Sequence, residues 1–477
     1  MDNIAGDSND INAFVKPYVI PEASDELNQN LESMARSFAV TDDRIRIIIK
    51  EFHKSMKVGL DHDDKDALPM IPTFVNRRPT GKETGSFLAL DLGGTNLRVC
   101  QVSLNGDTTY QLLQQKFTIT PEAKESRLWD FVAECVAVFL EEHDLHPSQG
   151  RRAIPCGFTF SFPIFQTGIS SGNLSMWNKG FTVPNSVGRD VVNLTQSAFQ
   201  RHHVPVEIVA VVNDTVGTLM TSAYSFPDTQ MGIIFGTGTN AAYWERLEDI
   251  GKWAGDRHGE MVVNLEWGAF DNAARVLPYT MHDNKLNRKS SNHGLQVYEK
   301  MISGLFLGEV TRNAILALVD QRLIFEGRSS ELLNKSYTFD TAYMSAIVFD
   351  DSPDLSATKT VLESTLDLPP TTLIDRKAVK NVCNMIGTRS VRLSAAAMCA
   401  VLLSRPELLK SSVSVGIDGS MYQFYPDFEK NLYAVSRTFL GDDFVDNRLA
   451  LRLAKDGSGV GAAIVAMTVD NDRKAAT

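Results

Sequence analysis

The spacing of apolar residues changes several times along the chain, and each change marks an element. Residues 27–56 carry apolar positions at helical spacing, and a Pro-rich crossing follows over 69–79. From Ser86 the period shortens. Phe87-Leu88-Ala89-Leu90 reads as a strand, Asp91-Leu92-Gly93-Gly94-Thr95-Asn96 as a tight turn, and residues 97–102 as a returning strand, with Asn105-Gly106 turning the chain again. Leu128, Phe131, Val132, Cys135 and Phe139 then fall on one helical face. Residues 208–212 form a β-branched run that reads as a buried strand, yet it ends on Asn213-Asp214. Residues 231–235, the turn Gly236-Thr237-Gly238-Thr239-Asn240 and residues 241–244 repeat the strand–turn–strand design. From Gly294 the pattern is mostly helical, apart from a polar, loop-like stretch over 350–372. Residues 416–420 and 456–459 read as two further Gly-rich turns, the second opening onto a helix over 460–467. Two such units, each followed by helices, predict an α/β fold with a duplicated core.

At 477 residues the chain exceeds what a single hydrophobic core supports, so two lobes or more are expected. A formal net charge of −11 argues against a nucleic-acid or anionic-membrane partner, though a few backbone N–H groups still suffice for a small anion. The first residues lack the basic and apolar regions of a secretory signal, and the apolar stretch 393–403 is too short for a span. Five cysteines without CxxC spacing fit reduced, buried thiols and signal no zinc site. A cytoplasmic protein is the expectation. The histidines show no ligand-like spacing.

The chemistry concentrates in the turns. Glycine lets backbone N–H groups approach a ligand closely, and Thr and Ser add hydroxyl donors, so four such turns describe a polyphosphate cradle. No P-loop and no protein-kinase motif set is present. Asp91 and Asp214 each end a strand, where α/β sheets bind ligands. One could orient Mg²⁺ through water and the other accept a proton; equally, Asp214 could simply cap the helix that begins at Thr215. Ser161, Trp177-Asn178-Lys179-Gly180-Phe181, Asn240, Glu266 and Glu299 mix short polar groups with aromatic ones, as a sugar site requires.

Taken together these motifs resemble the hexokinase family in its eukaryotic, fungal-type form, in collinear order from about residue 30 to 467. Asp91-Leu92-Gly93-Gly94-Thr95-Asn96-Leu97-Arg98 resembles the first phosphate motif, and Phe235-Gly236-Thr237-Gly238-Thr239-Asn240 the second. Ser161-Phe162-Pro163 through Phe181 resembles the sugar-binding signature, and Asn213-Asp214-Thr215-Val216-Gly217-Thr218 the catalytic segment. Asn264-Leu265-Glu266-Trp267-Gly268 and Glu299-Lys300-Met301-Ile302-Ser303-Gly304 resemble the segments of the two sugar-binding glutamates. Asp418-Gly419-Ser420 and Asp456-Gly457-Ser458-Gly459 resemble the adenosine-side turns.

The resemblance implies two RNase H-like lobes that close over a cleft, and ATP-dependent phosphorylation of a hexose 6-hydroxyl. It divides the chain into an N-terminal segment (1–84) on the large lobe, a small lobe (85–213), a large lobe (214–460) and a C-terminal helix (461–477) returning to the small lobe. It makes Asp214 the base, with Lys179 offsetting developing charge. Ser161, Asn178, Lys179, Asn213, Asp214, Asn240, Glu266 and Glu299 would hold the sugar. Asp91, Gly93, Gly94, Thr95, Asn96, Gly236, Thr237, Gly238, Asp418, Gly419, Ser420, Gly457, Ser458 and Gly459 would hold ATP, with Mg²⁺ arriving on the nucleotide. A monomer or homodimer is expected. The chain departs from the family pattern near the sugar: Asn178 replaces Thr, Phe165 and Ala241 stand where smaller residues are usual, and Thr239 replaces an apolar one. The segment Pro184-Asn185-Ser186-Val187-Gly188 also lacks an acidic residue often found there. Glucose is the expected substrate, with N-acetylglucosamine as the rival and a non-catalytic sugar sensor as the alternative of another class.

Overall fold

The computed structural model describes residues 18–148, 150, 153–177 and 179–476, so Asn178 lies outside the described residues. Two sheets dominate it. After a short β1 (Ile71–Pro72), the chain forms β2 (Thr84–Leu92), β3 (Asn96–Asn105), β4 (Tyr110–Thr118) and β5 (Ile154–Phe160). A hairpin, β6 (Ile164–Gly168) and β7 (Ser171–Leu174), precedes β8 (Val206–Val212). The second half contributes β9 (Thr229–Phe235), β10 (Thr239–Arg246), β11 (Glu260–Asn264), β12 (Val413–Asp418) and β13 (Leu449–Leu453). The first sheet has the order β4-β3-β2-β5-β8, and the second β1-β11-β10-β9-β12-β13. Each contains three antiparallel strands followed by two parallel ones, the second sheet adding the short β1 antiparallel to β11, so the duplication expected from the hairpins is a duplication of topology.

Alternation along the strands sorts side chains between three cores. Leu88, Leu90 and Leu92 of β2 face the helices Leu128–Glu142 and Val191–Arg201, which cover the outer side of the first sheet. Ala241 and Tyr243 of β10 face a large core shared with the helices Asp25–Phe38, Asp42–Asp61 and Leu373–Ser404. The remaining faces meet in the middle. Phe87 and Ala89, Ala210 and Val212, Ala242 and Trp244, and Val262 all point into one core occupied by the helices Asp214–Ser225 and Gly457–Ala476.

Those two helices touch backbone to backbone. A Cβ on Gly461 would lie 1.9 Å from the carbonyl oxygen of Gly217, and one on Gly217 would lie 2.6 Å from that of Ser458. Neither residue has a left-handed backbone; it is the approach itself that excludes a side chain.

Four expectations change. The stretch 350–372 is not a loop throughout: it contains the helical segments Ser356–Lys359 and Thr360–Thr365, started by Asp350, which accepts the Thr358 N–H and hydroxyl. Polar composition hid that capping. Gly416 to Asp418 belong to β12, and Gly457 to Gly459 form the first turn of the C-terminal helix, so in both cases the glycines serve packing as well as turning. Finally, residues 393–403 are part of a 32-residue helix long and apolar enough to cross a membrane, but 89% of its most apolar window is buried inside the protein. Its length was masked by Asp375, Arg389 and Arg392, which are themselves buried.

Gly→Ala inside a helix ordinarily gains about 1 kcal/mol. At Gly461 the carbonyl of Gly217 reverses the sign, since overpacking costs roughly 1–3 kcal/mol. Gly461→Ala is therefore expected to lower the melting temperature, and a thermal melt followed by circular dichroism checks it.

Candidate active site

Continuing the alternation one residue past the central core brings the polar residues together. Asp91 lies on the face of Ala89, Asn240 on that of Ala242, Asn264 on that of Val262, and Asp418 on that of Gly416. All sit at strand ends where the two sheets face the central helices.

Asp214 reaches the same place from β8. Asn213, not Asp214, caps the helix: its Oδ1 accepts the Thr215 N–H at 3.0 Å and the Thr215 hydroxyl at 2.7 Å. The alternative of Asp214 as the cap is thus replaced, and Asp214 is the first helical residue, with Oδ1 also accepting from Thr215 N–H at 2.9 Å. Burial pushes its carboxyl up to about 6; Lys179 pulls it down, while Glu266 and Asp91 push it further up. A carboxylate poised near neutrality is what a general base needs.

Glu266 and Glu299 form the neighbouring group. The Asn240 amide donates to Glu266 Oε1 at 2.9 Å and to Asn264 Oδ1 at 2.8 Å, and the Asn264 amide donates to the same Glu266 oxygen at 2.9 Å. Ala241 N–H holds the Asn240 carbonyl at 2.7 Å, which fixes its amide direction. Glu299 Oε2 accepts the Thr239 N–H at 2.9 Å, an approach that a Cβ on Gly238, 2.8 Å from that oxygen, would obstruct. Burial raises both carboxyls, that of Glu299 to about 7, with the Glu266 and Asp214 charges adding to it and Lys179 opposing.

Lys179 stands opposite on the first-sheet side. Its backbone is left-handed (φ 54°), its ammonium donates to the Ser161 carbonyl at 2.5 Å, and it lies 5.1 Å from the Phe162 ring centroid. Its stem runs against Gly94, where a Cβ would meet it at 3.0 Å. The first phosphate turn and the lysine are therefore in contact.

The phosphate-side residues form a second network. Asp91 Oδ2 accepts from Arg98 and, at 2.6 Å, from the Ser458 hydroxyl; Arg98 also bonds Asp456 at 3.0 Å. The Gly93 N–H closes its turn on the Asn96 carbonyl at 3.0 Å, and the Asn96 amide donates to the Thr95 hydroxyl at 2.8 Å. Gly419 (φ 115°) packs on the other turn, where a Cβ would lie 2.3 Å from the Phe235 carbonyl, and the carbonyls of Gly236 and Thr237 accept from Gly304 and Leu305 N–H. Asp418 accepts the Gly419 N–H at 2.7 Å, and Ser420 begins the short helix that follows. Two residues given no role from the sequence belong here: Arg98, which ties Asp91 to the C-terminal helix, and Asn264. The signal for Asn264 was present, since Met261-Val262-Val263-Asn264 is an apolar strand ending on an amide just as Val211-Val212-Asn213 is.

The departures at Phe165, at Thr239 and in the segment of Ser186 are accommodated. Phe165 is 63% exposed and does not fill the polar cluster. The Thr239 hydroxyl accepts the Trp267 indole N–H at 3.0 Å, and Ser186 accepts that of Trp129 at 3.2 Å.

A raised carboxyl in the folded state means that the fold binds more protons than the unfolded chain between the two pKa values. For Glu299 that window runs from its ordinary 4.5 to about 7, so its contribution is lost as pH rises through it. Glu299→Gln is expected to raise the melting temperature of the sugar-free protein by a few degrees at pH 8, with the gain shrinking toward pH 5; melts at the two pH values check it.

Comparison with known proteins identifies the family. Hexokinase family models match residues 30–224 and 230–468. Hexokinase-2 of Candida albicans is 37% identical over 95% of this chain and 94% of its own, and the glucokinase of Aspergillus niger 38% identical over 92% of this chain and 96% of its own. The structure of Schistosoma mansoni hexokinase complexed with glucose superposes with a TM-score of 0.83 at 34% identity, covering 93% of this chain and 99% of that one. With family models over both halves of the chain and relatives 37–38% identical over nearly its whole length, the chain belongs to the hexokinase family and is a hexose kinase.

Proposed function

We propose that the enzyme transfers the γ-phosphoryl of Mg-ATP to the 6-hydroxyl of glucose, with Asp214 as the base. The observation that carries this reading is the convergence of Asp214, Glu266 and Glu299 opposite Lys179, beside the turn Gly236–Gly238. Three carboxylates, two of them held by neighbouring amides and backbone N–H groups, offer acceptors for several hydroxyls at once, which suits a polyol. Glucose is favoured over N-acetylglucosamine because the relatives carry hexokinase and glucokinase names and the Schistosoma enzyme was seen with glucose.

In this reading Asp214 accepts the hydroxyl proton, and the helix N-terminus on which it stands favours its ionised form. Glu266 and Glu299 fix the sugar. Lys179 balances the anionic cluster, and it comes from a loop of the first-sheet half, so movement between the halves adjusts its field. The Gly-rich turns supply N–H donors to the phosphates. Asp91 suits Mg²⁺ held through water: Oδ2 is engaged by Arg98 and Ser458, while Oδ1 has no protein partner among the described residues. The metal ion would neutralise phosphate charge, as phosphoryl transfer requires.

The test is ADP release with Mg-ATP and glucose, fructose, mannose or N-acetylglucosamine in parallel. Turnover is expected with glucose foremost, and kcat/KM is expected to fall as pH drops through about 6, where Asp214 takes up its proton. Asp214→Ala is expected to lose ~10²–10⁴-fold in kcat while still binding sugar. Preference for N-acetylglucosamine would reassign the substrate. Sugar binding without turnover in the unaltered protein would make it a sensor.

A further inference from the structure

We infer that Asn264 is a positioning residue that keeps Glu266 ionised and aimed, so that this glutamate accepts a sugar hydroxyl rather than donating to one. The inference rests on the assignment of Glu266 to the sugar.

Glu266 is an awkward place for a charge. It is half-buried, its backbone is held left-handed at φ 53°, and no cation among the described residues is hydrogen-bonded to it. The charged groups facing it are Lys179 from the opposite loop, Glu299 from the helix Val297–Ile302 and Asp214 from the helix Asp214–Ser225; two of the three repel it. A carboxyl so placed protonates unless neutral donors hold its charge.

Asn264 supplies that hold in three ways. Its Nδ2–H donates to Glu266 Oε1 at 2.9 Å. Its Oδ1 accepts the Asn240 amide at 2.8 Å, turning that amide so that it also donates to Glu266 Oε1 at 2.9 Å. The same Oδ1 lies 3.4 Å from the Glu266 N–H and so supports the left-handed turn. Asn264 can serve because it is the last residue of β11, only 5% exposed, and paired in register with Ile71 on one side and Ala242 on the other. Its position is fixed by two strands. Both amide donors converge on Oε1, which leaves Oε2 as the acceptor for a ligand hydroxyl.

The decisive variant is Asn264→Asp. It is isosteric and retains the oxygen that accepts from Asn240, but it replaces the donor to Glu266 with another acceptor. Asn264→Ser, smaller and uncharged, is the second variant, and circular dichroism melts establish that both fold. Removing a donor to this carboxylate raises its pKa, so protonation of Glu266 adds to that of Asp214 on the acid limb of kcat/KM for glucose, which moves to higher pH. Hydrogen bonds to charged groups support an expected rise of about 10- to 100-fold in glucose KM at pH 7. ATP KM should stay within about 2-fold and the fall in kcat should be smaller than the rise in KM, with the KM penalty shrinking as pH is raised for Asn264→Ser. Glucose Kd from Trp267 fluorescence, the residue next to Glu266, gives the same comparison without turnover. A folded variant whose glucose KM and acid limb match the unaltered enzyme would overturn the inference, as would equal losses for glucose and ATP. If the unaltered enzyme itself shows no sugar-dependent turnover and no glucose binding, it is the functional reading that fails, which these variants are not needed to detect.

Discussion

The constraint on which the rest of the molecule depends is the side-chain-free crossing of the helices Asp214–Ser225 and Gly457–Ala476 between the two sheets. Gly217 and Gly461 permit it, and Gly157 extends it: a Cβ there would lie 2.0 Å from the Ala462 carbonyl, so the C-terminal helix is pressed against β5 as closely as against its partner helix. On the other side Gly232 and Gly416 admit Leu219 and Ser222 of the Asp214–Ser225 helix equally tightly. The stack sheet–helix–helix–sheet is therefore set by backbone contact, which cannot relax by a change of rotamer. Its consequence is chemical. The N-termini of the two central helices lie side by side, one beginning with Asp214, the proposed base, and the other carrying Ser458, which holds Asp91. In the proposed reaction, the spacing between the acceptor side and the phosphate side is inherited from glycine contacts deeper in the fold.

The same arrangement concentrates negative charge. Asp214, Glu266 and Glu299 each feel one another, burial opposes the ionised form of all three, and Lys179 is the cation that opposes them from across the interface. Such a cluster destabilises the empty enzyme, which is the usual relation between an active site and the scaffold that holds it. In the proposed reading, sugar hydroxyls would relieve it by donating to the carboxylates, so part of the binding free energy would come from quenching a repulsion built into the fold. The amides of Asn240 and Asn264 relieve it only in part. Asn213 spends its carbonyl on the helix cap instead and contributes there to orientation rather than to charge.

Much of this was legible in the sequence because hairpins and their Gly/Thr turns write themselves in a short window. The alternation in Phe87-Leu88-Ala89-Leu90 predicts both faces of β2, and the turn after it predicts the return. What one-dimensional reading missed is where a residue's meaning depends on a neighbour far along the chain. Gly416 reads as a turn residue, but it lies inside β12, paired with Gly232 and Arg452, and its missing Cβ makes room for Ser222 of another element. Gly457 and Gly459 read as a loop, but they open a helix. The stretch 350–372 reads as polar loop because the bonds that start its helix run from Asp350 to Thr358, eight residues on. Arg98 and Asn264 acquire roles only when the fold brings Asp456 and Asn240 to them.

The departures from the family pattern follow the same logic. Thr239 introduces a hydroxyl where an apolar residue is usual, but the hydroxyl is consumed by the Trp267 indole, so its effect is to fix the turn that carries Glu266. Ala241 adds a methyl group, yet that group enters the large core, while its N–H pins the Asn240 amide. The Thr239 change acts on the orientation of the carboxylate–amide cluster, the Ala241 change only on the core behind it, and both leave the cluster's composition intact. A pocket that keeps its acceptors but alters their tethering retains the reaction and shifts the relative fit of hydroxyl patterns, because specificity lies in which buried polar groups go unpaired. Divergence at Thr239 and Ala241 thus leaves the carboxylate–amide cluster intact, whereas the place of Asp214 is set by the backbone contact of the helix on which it stands.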